Sequence, residues 1–424
     1  MYNSKVYKRS RVAYVAQCTV EYFVMITVTD TYLAKILSEG GVSDIMTGII
    51  SSFITIAFLC QMVSFLFAQK IKNIKRTVML FSMLSVLLFT SLYLIPLLPL
   101  SVSGKTVLVM MCILVAYFAN YFVAPFLFKW ANSFVAPDKR GEYSASKEMV
   151  SLFGGMIFTL VAGYIIDYFE MSGQLRTGFL VVSMILFVLS ICNFLSLMLI
   201  KAPEQEEKTQ SIPLAEAGKH LVKNKNFINV IILTILWNVG IYITTGYLGV
   251  YKIKELQLTV GMVQLFNVTG SLCRLVASRP FGRYSDKHSY AKGMKLALVV
   301  SALAFGANVF TTPKTWWMIA VYTILHAISM AGINQNTANI TYSYVESDYL
   351  VQAMAIKNSI GGICGFLASL AGGAILSYVQ DHGNMVLGVP VYGQQVLSLL
   401  SFGVIVALII FIHLVIEKQK VMRQ

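Results

Sequence analysis

Long apolar segments recur along the whole chain and are separated by short polar connectors. Each segment holds about 20 residues, the length that an α-helix needs to cross a hydrocarbon layer about 30 Å thick. A helix is favoured in such a layer because it satisfies its own backbone hydrogen bonds where water is absent. The pattern predicts twelve membrane-spanning helices, over residues 12–36, 46–69, 77–99, 106–128, 149–168, 177–200, 227–250, 260–279, 293–312, 316–338, 354–378 and 395–416.

One connector is longer and more polar than the others. Residues 201–226 read KAPEQEEKTQSIPLAEAGKHLVKNKN, in which charged residues and prolines replace the apolar run. This composition is typical of a linker. Within it, Leu214, Ala217 and Leu221 share one face of a short helix, which we expect to lie on the membrane surface. The predicted domains are an N-terminal six-helix bundle over 1–200, a cytoplasmic linker over 201–226 and a C-terminal six-helix bundle over 227–424.

The composition excludes a water-soluble protein. Hydrophobic residues make up 57% of the 424, charged residues only 12%, and the mean hydropathy is +0.71. The formal net charge is +14, but the Lys and Arg residues concentrate in alternate connectors and in both tails, the pattern of cytoplasmic loops. A nucleic-acid-binding protein would carry its bases on one soluble module. We predict an integral membrane protein of the plasma membrane, in contact with lipid, with both termini in the cytoplasm.

Side chains that usually carry enzymatic or metal chemistry are scattered. All six cysteines fall inside predicted helices, which favours core positions over a disulfide framework or a metal site. The five histidines lack ligand spacing, and the motifs GxSxG, HExxH and GxxxxGK[ST] do not occur. We therefore expect no catalytic residue, no metal and no cofactor.

The two halves of the chain resemble each other weakly. Laying residues 146–168 over residues 356–378 aligns several identical residues, and laying the first predicted helix over the seventh places Asn238 opposite Glu21. Duplicated halves are common among membrane transport proteins. The aligned identities are Lys147 with Lys357, Gly155 with Gly365, Leu160 with Leu370, Gly163 with Gly373, Ile165 with Ile375 and Tyr168 with Tyr378.

The hinge after the eighth predicted helix carries a recognisable motif. Residues 282–287 read GRYSDK, with Lys292 behind them, and this stretch resembles the signature loop of the major facilitator superfamily. The corresponding first-half loop, 65–76, departs from the pattern, since Phe65 and Gln69 occupy the glycine and acid positions. The resemblance implies an all-α fold of two six-helix bundles that works by alternating access. It also implies a cytoplasmic gate, formed by Gly282, Arg283, Asp286 and Lys287, and the alternative is a plain basic loop with a turn glycine.

An acid lies near the middle of the first predicted helix. Tyr14, Gln17 and Glu21 recur at spacings of three and four residues, so they share one helix face. A charged group at this depth is costly and usually marks a function. Burial disfavours the charged form of a carboxyl group, so Glu21 is a candidate proton carrier. The alternative is a protonated Glu21 that joins two helices, and Asp30, near the outer end, is the next candidate acid.

Further polar side chains occur inside other predicted helices. In the superfamily, the first, fourth, seventh and tenth helices line a central cavity, so the resemblance implies that their polar residues meet there. For any one of them, a contact between helices is an equal alternative. The candidate cavity residues of the last three helices are Tyr117, Asn120, Tyr121, Trp237, Asn238, Tyr242, His326, Asn334, Gln335 and Asn336.

Three basic residues lie inside predicted helices or at their ends. Arg274 either extends its guanidinium to the cytoplasmic surface or faces inward towards Glu21 or an anionic substrate. Lys147 and Lys357, near the starts of helices five and eleven, are predicted to extend to the surface.

These patterns favour a secondary active transporter. The hypothesis is a proton-coupled symporter that takes up a sugar, a nucleoside or a peptide fragment. The sequence shows no ATP-binding motif, so we expect the energy to come from a gradient or from the solute itself. Helix five lacks the proline that drug antiporters of the superfamily usually carry, although the 22 Tyr and 26 Phe could also form a drug pocket. The alternatives are a multidrug efflux antiporter and a polytopic enzyme or sensor. We expect a monomer whose partners are a small-molecule substrate, protons and the lipid bilayer.

Overall fold

The computed structural model describes residues 5–60, 63, 71, 73–135, 140–201, 214–346, 349–386 and 388–419. The described chain is almost entirely α-helical, and a two-stranded antiparallel pair joins β1 (Met385–Val386) to β2 (Val389–Pro390). The helices are α1 (Lys5–Ile26), α2 (Asp30–Glu39), α3 (Asp44–Ser51), α4 (Phe53–Ala57), α5 (Ile74–Ser91), α6 (Val102–Ser133), α7 (Arg140–Met171), α8 (Leu175–Leu199), α9 (Leu214–Lys223), α10 (Lys225–Val250), α11 (Val260–His288), α12 (Tyr290–Val309), α13 (Met318–Tyr344), α14 (Leu350–Asp381) and α15 (Gly393–Leu414).

Most of these helices are long and apolar enough to cross a membrane. Within the described residues ten helices pass this test, or eleven if the bent pair α1 and α2 forms one span. The apolar helices of Asp44–Ala57 are shorter, and the rest of the predicted span 46–69 lies largely outside the described residues. The all-α polytopic fold is therefore confirmed.

The first predicted helix is broken. The axes of α1 and α2 differ by 49°, and Asp30 at the break has a φ of 47°. The Thr27 hydroxyl donates to the carbonyl of Val24 at 2.9 Å, and the Thr29 hydroxyl donates to the carbonyl of Ile26 at 3.2 Å. Hydroxyls that bind carbonyls of the preceding turn compete with helical hydrogen bonds and bend helices. Apolar length alone predicted a continuous span because it does not register this competition.

Two compact units divide the chain. The first unit is Met1–Val42 with Cys60–Ser211, and the second is Ser43–Leu59 with Ile212–Gln424. In the first unit, α1 packs on α7 and α8, and α5 packs on α6 and α8. In the second unit, the main contacts join α12 to α13, α10 to α14, α11 to α13 and α12 to α15.

The segment 43–59 belongs to the second unit because of specific contacts. Asp44 forms an ion pair with Lys254, and Gly48 lies directly against the ring of the fully buried Tyr247. A side chain at position 48 would overlap that ring. These contacts hold the segment in the second unit.

The linker helix α9 is docked on protein. Ala217 and Leu221 are 0% and 1% exposed, and they pack in one cluster with Phe227 and Val345. The ring of His220 stacks on Tyr349 with a centroid distance of 4.4 Å. The predicted apolar face is therefore present, but the expected membrane-surface position is wrong, because the second unit offers that face an apolar partner.

Glycines allow α10 and α14 to approach closely. A Cβ at Gly372 would lie 2.4 Å from the carbonyl oxygen of Ile243. Gly372→Ala should therefore lower the midpoint of thermal unfolding in detergent, since overpacking costs about 1–3 kcal/mol. Gly403→Ala is the control, because a Cβ there meets no atom within 4 Å. Equal midpoints for the two variants would contradict this packing.

The docking of α9 predicts a local effect on backbone protection. Leu221→Ala should speed amide hydrogen exchange over residues 214–223, because removing a buried leucine side chain costs about 2–5 kcal/mol. The neighbouring Val222 is 67% exposed, so Val222→Ala should leave exchange unchanged. Similar exchange in both variants would show that α9 is held by other contacts.

Candidate functional site

A carboxyl group held by two amides lies in the first unit. Glu21 is on α1, Gln17 lies one turn before it, and Asn120 is on α6. The side-chain nitrogen of Gln17 donates to one carboxylate oxygen of Glu21, and that of Asn120 donates to the other. Gln17 is completely buried and Glu21 is half-buried. The structure thus brings three of the predicted residues together around one acid.

Tyr14, on the same helix face, lies in an aromatic cluster. Its ring centroid is 5.8 Å from that of Phe134 and 6.4 Å from that of Tyr143. The Lys147 Nζ lies 5.8 Å from the centre of the Tyr14 ring, and its charge acts on Glu21. The prediction that Lys147 extends to the surface is wrong, because the ring face and the acid attract the ammonium inward.

Side-chain hydrogen bonds to backbone carbonyls close this cluster. The Tyr143 hydroxyl donates to the carbonyl of Arg11 at 2.8 Å, and the Arg11 guanidinium donates to the carbonyl of Phe134 at 2.9 Å. Burial raises the pKa of Tyr143, so its hydroxyl remains a neutral donor. These bonds fix α1, α6 and α7 to one another beside Lys147.

The two tyrosines predicted on helix four differ in environment. Tyr117 is 3% exposed, and its ring meets Phe89 of α5 edge to face at a centroid distance of 4.9 Å. Tyr117 therefore packs between helices, the alternative that helix periodicity left open. Tyr121 is half-buried on α6.

Asp30 occupies the break between α1 and α2. Its positive φ of 47° is unusual for a residue with a side chain, and Asp is among the residues that tolerate this conformation best. The Thr31 hydroxyl donates to its carboxylate at 3.3 Å. Asp30 is thus placed at the point where the helix direction changes.

The polar face predicted on helix seven lies against α14. The Asn238 side-chain nitrogen donates to the carbonyl of Thr234 at 2.8 Å. A Cβ at Gly361 would meet Asn238 at 2.7 Å, and a Cβ at Gly365 would meet the Tyr242 ring at 2.8 Å. Asn238 and Tyr242 are half-buried at this helix contact. Trp237 is also half-buried and packs on the core of the second unit.

His326 lies among aromatic rings with one nitrogen unsatisfied. Its ring stacks on Tyr322 at a centroid distance of 5.5 Å, and Phe305 meets it edge-on at 5.8 Å. Its Nδ1 is buried and has no hydrogen-bond partner in the described part of the chain. The positive charges of Lys252 and Arg274 both act on this ring. Arg274 is half-buried, which favours the inward alternative.

The amides of helix ten point in different directions. Asn334 and Gln335 are exposed within the span α13, whereas Asn336 is completely buried. The Asn336 side-chain nitrogen donates to the carbonyl of Gly332 at 2.8 Å. Asn336 therefore serves helix packing.

The predicted gate is helical. Helix α11 continues through Gly282 to His288, and the chain turns at Ser289, whose hydroxyl accepts from the backbone nitrogen of Lys292 at 3.2 Å. Gly282 therefore lies inside a helix, so the alternative of a loop with a turn glycine is wrong. A Cβ at Gly282 would lie 3.3 Å from the Gln335 side chain, so the glycine permits a close approach of α11 and α13.

The charged gate residues lie on the surface of this helix end. The side chains Arg283, Asp286 and Lys287 are exposed, and Asp286 forms no ion pair with any residue that the structure describes. Asp286 lines a cavity of about 370 Å³ together with Ser285 and Tyr344. The first-half counterparts, Phe65 and Gln69, lie outside the described residues.

Lys357 was missed as a site residue. It is 3% exposed, two turns inside α14, and its Nζ donates to the Thr341 hydroxyl at 3.2 Å. The prediction that it extends to the surface is wrong, because the long side chain turns inward to a polar partner on α13. The alignment of Lys357 with Lys147 was the signal that could have identified it.

Several solved structures are similar to the chain. The nucleoside transporter NupG has a TM-score of 0.69 and 13% identity, over 98% of this chain and 100% of that chain. The POT family transporter PepTSo has a TM-score of 0.68 and 10% identity, over 96% and 97%. A D-xylose-proton symporter has a TM-score of 0.65 and 13% identity, over 94% and 96%. At these identities the likeness establishes the fold.

A sequence family supplies the assignment. The model of the Major Facilitator Superfamily matches residues 12–279 and 253–422, which together span nearly the whole chain. No curated protein matches the chain by sequence. The family and the membrane-spanning helices make this chain a transporter and not an enzyme. The protein therefore belongs to the Major Facilitator Superfamily.

Proposed function

We propose that the protein takes up a polar organic solute, such as a sugar, a nucleoside or a peptide fragment, by symport with protons. The observation that carries this proposal is the Glu21 carboxyl group, which lies in a membrane span with an amide on each oxygen. An ionisable group at this depth is costly to keep, so it marks a site of function.

The hydrogen bonds of Glu21 provide a way to sense a proton. An ionised carboxylate only accepts hydrogen bonds, which suits the two amide nitrogens that face it. Protonation removes the negative charge and turns one oxygen into a donor with less acceptor capacity, so the hydrogen bond from Gln17 or Asn120 to that oxygen weakens. Because Asn120 lies on α6 and Glu21 on α1, loading a proton changes the contact between these helices.

Exposed polar side chains and the similar structures support this solute class. Asn334 and Gln335 present amides within a span, and amides bind hydroxyl and carbonyl groups. The similar structures include a nucleoside transporter and a D-xylose-proton symporter. The protein works as a monomer in the plasma membrane, with both termini in the cytoplasm, an orientation supported by the distribution of Lys and Arg.

The coupling role of Glu21 predicts a selective defect. In proteoliposomes, Glu21→Gln should abolish accumulation driven by a pH gradient, because an amide cannot carry the proton, while exchange of substrate across the membrane continues. Glu148→Gln removes an exposed acid of the same unit and should accumulate normally. Full pH-driven accumulation by Glu21→Gln would move the role to Asp30.

Asp286 acts in this proposal as part of a cytoplasmic latch with Arg283 and Lys287. Asp286→Asn should change the rate at which a maleimide labels Asn334→Cys, in a background without the native cysteines, because loss of the charge shifts the balance between access states. Asp381→Asn removes another exposed acid and should leave the rate unchanged. An unaltered rate in Asp286→Asn would reduce the motif to a basic loop that sets topology.

A further inference from the structure

A buried ammonium group in the second unit has no opposite charge beside it. Lys357 is 3% exposed, and the Thr341 hydroxyl, 3.2 Å away, is its single hydrogen-bond partner among the described residues. No described Asp or Glu forms an ion pair with it. An ammonium has three N–H donors, so two remain available.

In the first half of the chain, the lysine aligned with Lys357 has an acid near it. Lys147 occupies the aligned position there, and its charge acts on Glu21. The residue aligned with Glu21 in the second half is Asn238, whose amide nitrogen donates to the backbone of its own helix. The lysine is thus kept in both halves, while the acid is replaced by a neutral side chain in one.

The packing around both positions supports this comparison. A Cβ at Gly155 would meet the Tyr22 ring of α1 at 2.4 Å, and a Cβ at the aligned Gly365 would meet the Tyr242 ring of α10 at 2.8 Å. The two halves therefore use the same glycine contact between corresponding helices. Lys357 lies on α14 two turns before Gly365, in a helix whose position relative to α10 is fixed by this contact.

Keeping an ammonium buried without a counter-charge is unfavourable, and in membrane proteins such a group usually binds an ion or a substrate. We propose that Lys357 binds an anionic group, a carboxylate or a phosphate, of the transported solute. This inference rests on the proposed function and narrows its solute from a polar to an acidic one. The two available N–H donors can make charge-assisted bonds to the anion while the bond to Thr341 remains.

The arrangement also accounts for how an anion could cross the membrane. The lysine neutralises the anion in the second unit, while Glu21 in the first unit exchanges its proton.

The test uses the full-length protein in detergent and pairs of compounds that differ in one acidic group. The pairs are glucuronate with glucose, uridine monophosphate with uridine, and trialanine with trialanine amide. Ligands that bind the folded state raise its thermal stability, and the concentration dependence gives an affinity. The acidic member of a pair should stabilise the wild type more than the neutral member does.

Substitutions then assign this preference to one residue. Lys357→Gln should weaken binding of the acidic member about tenfold or more and leave the neutral member unchanged. Lys357→Arg keeps the positive charge and should retain part of the preference. Lys314→Gln removes an exposed lysine of the same unit and should bind like the wild type.

Three outcomes would overturn the inference. The first is that both members of a pair stabilise the protein equally and that Lys357→Gln does not change this. That result would contradict the anion site but would still agree with transport of a neutral solute. If no acidic compound of the three pairs stabilises the wild type, the anion site is also contradicted. If Lys357→Gln does not fold, Lys357→Arg decides: an equal change in affinity for both members contradicts the proposal, and a change confined to the acidic member supports it. The proton role of Glu21 is judged separately by pH-driven accumulation.

Discussion

The cost of placing charge in a hydrocarbon layer governs the arrangement of this protein. The first unit meets this cost locally, since the Glu21 carboxylate accepts two amide hydrogen bonds and the charge of Lys147 acts on it. The second unit meets it only in part, since Lys357 has a hydroxyl partner and no acid among the described residues. Such groups persist in a membrane span where binding or coupling requires them.

The helices that hold these groups pack closely at glycines, which leave room for a side chain of the neighbouring helix. Gly155 and Gly365 each leave room for a tyrosine ring of the first helix of their half. Dispersion forces and close packing replace the hydrophobic effect between helices in lipid, so such contacts carry much of the stability there. Because the same contact recurs in both halves, a functional group can change in one half without disturbing the helices that carry it.

The spans were predictable because their length is set by the membrane, but several features were not. The break after α1 depends on hydroxyls of Thr27 and Thr29 that bind carbonyls, and apolar length does not report such bonds. The glycine of the motif, Gly282, allowed either a close approach of helices or a turn, and only the tertiary contacts identify the close approach. Periodicity placed Gln17 beside Glu21, yet it could not reveal Asn120 as the second partner, because that contact joins distant parts of the sequence.

Lysine orientation was the hardest feature to predict, and it matters most for the proposed chemistry. The flexible side chain of Lys147 or Lys357 can reach the surface or turn inward, and only the tertiary partners decide between these positions. Since both lysines turn inward, the two halves differ in the aligned residue of their first helix, which is the acid Glu21 in one half and the neutral Asn238 in the other. Under the proposed function, Glu21 in one half binds the proton and Lys357 in the other binds the anion, so proton and anion occupy separate groups during one transport cycle.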